Sequence, residues 1–193
     1  LREYYERAGR VADVARMLEI GLDFARSDRE RVMRLTEIVE LRLTRLDDVP
    51  GAFQNVSSLV TLEPGVADHR RLLAELAGRI DAQAPRAALL AAVAREQSAV
   101  PLRAALLQEA AAVHVDLLAD PAAAIELYFE LLQLAGGDRG LALVAARNLD
   151  PLLAVAGRPG EHCDVLERRA ALEDDPGARR VARGARAPPR VGV

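Results

Sequence analysis

Residues 35–62 and 107–134 carry the same pattern of side chains, displaced by 72 positions. Leu35, Glu37, Leu46, Asp48, Ala52, Leu59 and Leu62 return as Leu107, Glu109, Leu118, Asp120, Ala124, Leu131 and Leu134. Where identity lapses the apolar class is kept: Leu43 is matched by Val115, Phe53 by Ile125 and Val60 by Leu132. A fixed internal period is the mark of stacked supersecondary units, each too small to bury its apolar face alone. The chain is thereby restricted to repeat architectures.

The repeat unit is helical. Of the 193 residues, 51% are hydrophobic but only 3% aromatic, with no Trp, so the apolar mass is Ala, Leu and Val. Ala and Leu are strong helix formers, whereas strands draw on β-branched and aromatic residues. Apolar spacings of three and four predict helices over 1–8, 11–25, 28–45, 50–62, 66–80, 84–97, 100–118, 121–135, 139–156 and 161–172. Pro151 falls inside the 139–156 segment, where it either kinks or splits the helix.

Punctuation supports these boundaries. Ser27 and Glu30 have capping-box spacing, each placed to satisfy the other's backbone amide. Asp120-Pro121 sets an acidic N-cap before a first-turn proline, and Asp48 with Pro50 nearly repeats it. Glu63-Pro64-Gly65 and Gly136-Gly137 are helix stops. Ala-Gly-Arg occurs at 8–10, 77–79 and 156–158, with each Gly where a helix end favours a left-handed residue. In that register Leu1 aligns with Arg70 and Leu149, inside helices, so residues 1–175 are expected to be part of a longer array. Residues 176–193, rich in Arg, Pro and Gly, are expected to begin a further helix or to be disordered.

Charge and composition narrow the function classes. All 26 basic residues are Arg, yet the net charge is −3, giving no basic field for nucleic acid. One Cys excludes an intrachain disulfide and a multi-Cys zinc site, and fits a reducing, cytoplasmic setting. No apolar run reaches the roughly 18–20 residues of a membrane span.

The second-helix residues Ala52, Val56, Leu59 and Pro64, repeated as Ala124, Tyr128, Leu131 and Gly136, resemble the Ala-x3-Phe-x2-Ala-x4-Pro pattern of tetratricopeptide repeats. Tyr5 and Gly9 are similar to the Tyr and Gly near the end of that family's first helix. The family's small first-helix Gly is replaced by Glu40 and Ala112. The resemblance implies an all-α, right-handed α-α superhelix, a solenoid of about five antiparallel hairpins. It also implies a non-enzymatic scaffold whose first helices line a concave groove for a peptide or partner protein. By register that groove would take Arg34, Glu37, Leu41, Thr44, Asp68, Glu75, Glu109, Val113, Asp116 and Arg147. Its mostly acidic character favours a basic or amphipathic segment, with flanking repeats of the same polypeptide as further neighbours. Ordinary solvated helix faces are the competing reading of these positions. The alternatives in function are a regulatory repeat domain of a larger signalling or transcription-control protein, and an all-α enzyme with a central cavity.

His162-Cys163-Asp164 is the one cluster that looks like chemistry, and its geometry argues against it. His162 and Cys163 are adjacent, about 100° apart on a helix, so the imidazole is poorly placed to activate the thiol. Cys163 is expected to pack as a small apolar residue. His69 and His114 lack ligand spacing, and no metal or cofactor is expected. Asp47-Asp48 and Glu173-Asp174-Asp175 precede prolines and suit helix starts rather than a magnesium site. Gly136-Gly137-Asp138-Arg139-Gly140 follows a helix and lacks the Lys-Ser/Thr of a phosphate loop.

Overall fold

Capping chemistry sets where the helices begin, and the apolar stripes decide what they bury. The computed structural model describes residues 10–173. The expected 1–8 helix, Tyr5, Gly9, Asp174, Asp175 and the 176–193 tail lie outside the described residues. Among the described residues the structure is all-α, with nine α-helices: α1 (Val11–Leu22), α2 (Asp28–Leu41), α3 (Val49–Leu62), α4 (Ala67–Arg79), α5 (Gln83–Glu96), α6 (Val100–Asp116), α7 (Pro121–Leu134), α8 (Arg139–Ala156) and α9 (Pro159–Leu172). A π-helical turn, Arg42–Leu46, extends α2. None is long and apolar enough to cross a membrane.

The chain divides into two compact units, Leu1–Val93 and Ala94–Val193. In the first, α1 packs on α2, α2 on α3 and α3 on α4; in the second, α6 packs on α7, α7 on α8 and α8 on α9. Helices joined by turns of a few residues and packed along their length run antiparallel, so each unit is a run of hairpins stacked in chain order. The first core holds Val14, Leu35, Ile38, Val56, Val60, Leu73 and Leu76; the second holds Leu106, Leu107, Ile125, Leu131, Leu149 and Leu153. Ala52 and Ala124, both fully buried, stand at matching positions where a larger side chain would hold the helices apart.

The 72-residue duplication recurs in the capping hydrogen bonds of the two hairpin turns. Asp48 N–H donates to the Arg42 carbonyl at 3.0 Å, and Asp120 N–H to the His114 carbonyl at 2.9 Å. Asp48 Oδ1 accepts from Gly51 N–H at 2.9 Å and Asp120 Oδ1 from Ala123 N–H at 3.1 Å. The residue before each N-cap is left-handed: Asp47 at φ 51° and Ala119 at φ 50°. The duplication also extends further than the matching side chains suggest. Helices α1, α2 and α3 recur as α5, α6 and α7, although Val11 and Gln83, which open α1 and α5, are unlike.

Several local expectations are corrected. Glu30 does not close a reciprocal box on Ser27: Ser27 Oγ accepts from Glu30 N–H at 3.2 Å, but the Glu30 carboxylate reaches Arg26 N–H at 2.9 Å. Gly157 is the left-handed cap of α8, as the triplet predicts, whereas Gly78 lies inside α4 and the left-handed residue there is Asp81, at φ 54°. Helix α1 stops at Leu22 rather than 25, and α2 loosens into the π turn rather than running to 45. Pro151 sits within α8 without splitting it, its ring exposed. Cys163 is exposed, not packed.

Candidate binding surface

The proposed groove positions fall into two groups, one on each unit. On the first, Arg34, Glu37 and Leu41 are half-buried on α2, and Asp68 and Glu75 are exposed on α4. Thr44 sits in the π turn and donates its hydroxyl to the Glu40 carbonyl at 2.7 Å. Arg34 is turned inward: it pairs with Glu30 at 2.6 Å and donates to the Gly21 carbonyl, tying α2 to the end of α1. Asp68 pairs with Arg71 at 3.0 Å on its own helix. On the second unit, Glu109 is half-buried, Asp116 is exposed and Arg147 pairs with Glu173 at 3.4 Å. Val113 is only 3% exposed and is a core residue of α6. It lies one position off the expected face because the buried stripe of α6 is broad, taking Leu106, Leu107, Ala110, Ala111 and Val113.

Two polar clusters emerged only from the tertiary structure. In the first, Asp150 of α8 receives His162 Nε2 at 2.6 Å on one oxygen and Arg169 on the other. Arg169 also holds Glu173 at 3.0 Å, and its guanidinium pushes the Glu173 carboxyl below the usual range. His162 is thus engaged across the α8–α9 hairpin and is not paired with Cys163. In the second, Glu130 of α7 is clamped by two arginines, Arg95 Nη2 at 3.0 Å and Arg103 Nη2 at 2.8 Å. Burial pushes this carboxyl up, but the hydrogen bonds from Arg103 and Arg95 outweigh it and leave it below its ordinary value. No group of three or more His, Cys, Asp or Glu that could hold a metal occurs among the described residues.

Apolar side chains also reach solvent. Phe24, Met33 and Ile20 of the first unit are 73%, 65% and 56% exposed, and in the second Leu117 and Val155 are 56% and 84%. Beside them in sequence an open notch of about 290 Å³ lies between α1, α2 and α3, lined by Leu22, Arg31, Leu35, Ser58, Thr61 and Leu62. Sequence reasoning passed over this place because the groove register took other positions of α2, Arg34, Glu37 and Leu41, and none on α1 or α3. A signal was available in the duplication: Ser58 stands where the second copy has Glu130.

No protein-family model matches the chain. No curated protein matches it either. Among solved structures, the chain is similar to a Podosopora anserina kinesin-light-chain candidate with nearly identical TPR-like repeats, at 18% identity and a TM-score of 0.45 over 89% of this chain and 91% of that one. A Q17M variant of that protein is similar at 17% identity and a TM-score of 0.44, over 97% and 94%.

Proposed function

We propose that this chain is a non-enzymatic helical-repeat scaffold that holds a segment of a partner polypeptide against its exposed helix faces. One observation carries the reading: the two copies share a set of core positions and differ at several exposed apolar ones. Leu35/Leu107, Ala52/Ala124 and Leu59/Leu131 are buried in both copies. Exposed Ile20, Phe24 and Met33 are matched by Ala92, Glu96 and Ala105. A duplicated core with divergent surfaces is how a stack presents different contacts from one geometry. Large apolar side chains left at the surface are suited to a partner rather than to water.

The mechanism is pre-organisation. Capped helices packed on their chain neighbours lose little further freedom on binding, so contact energy is not consumed in ordering the scaffold. On the first unit Glu37 and Glu75, and on the second Glu109 and Asp116, each favour a basic or amphipathic segment, read through its apolar face and its charges.

The test is retention of a partner from an extract of the source organism on immobilised chain, quantified against a Glu75→Lys/Asp116→Lys variant. Both residues are exposed, so the variant keeps its fold, checked by circular dichroism. The expected result is one protein retained saturably by the parent and about tenfold less by the variant. No saturable retention, or equal retention by both, overturns the proposal.

A further inference from the structure

The two copies differ at one place in a way that specifies a ligand. In the second copy Glu130 lies between Arg95 and Arg103, its side chain only 20% exposed. Stepping back 72 positions, Arg103 becomes Arg31, Leu107 becomes Leu35 and Leu134 becomes Leu62, all three retained in type. Glu130 becomes Ser58, whose short hydroxyl turns to its own helix and donates to the Gln54 carbonyl at 3.3 Å. No carboxylate stands at position 58 of the first copy, where the open notch lies with Arg31 and Ser58 in its lining, although Asp28, matched by Val100 in the second copy, meets Arg31 from its own helix. Arg31 has Asp28 of its own helix at 3.5 Å, and its side chain stays 48% exposed. Arg103, with Glu130, is 30% exposed.

We infer that this notch receives a glutamate side chain from a partner polypeptide, with an aliphatic neighbour laid against Leu22, Leu35 and Leu62. The inference rests on the scaffold reading above and names one of its contacts. Arg31 supplies the charged donor, in the role Arg103 performs for Glu130, and the leucines supply the apolar wall. A charge-assisted hydrogen bond is about twice as strong as a neutral one, so the carboxylate is the discriminating group. Asp23 replaces Arg95 in the register, so one arginine with an opposing acid stands where the second copy has two arginines, and the apolar contact is the larger part of the affinity. The exposed Phe24, in the turn just after Leu22, adds apolar surface close in sequence to the notch lining, beyond what a small carboxylate needs. A polypeptide fits better than a metabolite.

The test is fluorescence polarisation with the full chain and a panel of labelled, end-capped peptides that place Leu one to four residues from a Glu, each with a Gln twin. At least one Glu peptide is expected to bind about tenfold more tightly than its twin, a difference worth about 1.4 kcal/mol. That preference is expected to vanish in Ser58→Glu, which fills the notch from within as the second copy does, and in Arg31→Gln. If Ser58→Glu unfolds, Arg31→Gln still decides, because the Arg31 side chain is 48% exposed and its ion pair is with Asp28 of its own helix. Equal binding of every Glu and Gln pair, or an undiminished preference in both variants, overturns the inference. Displacement by free glutamate at peptide-like concentration also overturns it, by assigning the notch to a small carboxylate. Should the peptides fail while the parent still retains a protein from extract, the notch assignment falls alone; loss of both removes the scaffold reading too.

Discussion

Ala119 is the clearest case in which one residue is held against its preference. An L-residue in the left-handed region costs about 1–2 kcal/mol, and Ala has no side-chain hydrogen bond to offset it. Asp47, its counterpart, tolerates the region better because a short polar side chain can bond locally. Ala119→Gly is therefore expected to stabilise by about 0.5–1 kcal/mol, and Asp47→Gly by less, read as the difference in Tm between the two variants. Gly51 presents the opposite situation. A Cβ there would collide with the Arg42 guanidinium, which bridges Asp48 and Glu19. Gly51→Ala is expected to destabilise by about 1–2 kcal/mol through loss of that bridge, measured by denaturant unfolding, although the second copy accepts Ala123 beside the shorter His114.

At the scale of elements, the packed pairs carry the stability. Leu131 on α7 and Leu59 on α3 are both essentially inaccessible. Leu131→Ala is expected to cost about 2–5 kcal/mol. A similar cost for Leu59→Ala, measured in parallel, would show that the two copies bear equivalent loads. Pro151 illustrates how an element can absorb a break that sequence rules leave open. It can donate no hydrogen bond to the Arg147 carbonyl, yet α8 continues through it for another turn and ends at Gly157, in the left-handed conformation at φ 66°. Helix α4 ends at Arg79, the matching position, so the extra turn delays α9 by four residues relative to α5. Restoring the donor with Pro151→Ala is expected to raise stability by as much as about 3 kcal/mol, seen as a higher denaturant midpoint.

For the whole molecule, acid is the expected weak point. Glu30 is held below its ordinary value chiefly by the Arg26 amide, Glu173 chiefly by Arg169, and Glu130 by Arg103 and Arg95 against the opposing effect of burial. A depressed folded-state pKa means stability that is complete above the unfolded value, about 4.3 for Glu, and lost as pH falls through the folded value. The Tm is thus expected to hold near neutral pH and decline below about pH 4.3. Glu130→Gln should cost about 1 kcal/mol at pH 7, a gap that closes as the parent's carboxylate protonates.

The helical class, most helix starts and much of the duplicated core follow from the order of residues alone, because periodicity and capping act between residues three or four apart. Asp48 and Asp120 cap their helices as their spacing predicts, and Ala52 and Ala124 are buried as a matched pair. Which surface residues are spoken for was settled by the packing of the helices. Arg34 turns in on Gly21, Val113 is core, and Arg95 finds Glu130 from 35 positions away. Such choices depend on distances between helix faces remote in sequence, and a guanidinium on a long flexible stem can reach several carboxylates at similar cost. The vacancy beside Arg31 was written in the chain as Ser58 against Glu130, but it acquired meaning only once the filled copy showed what that place can hold.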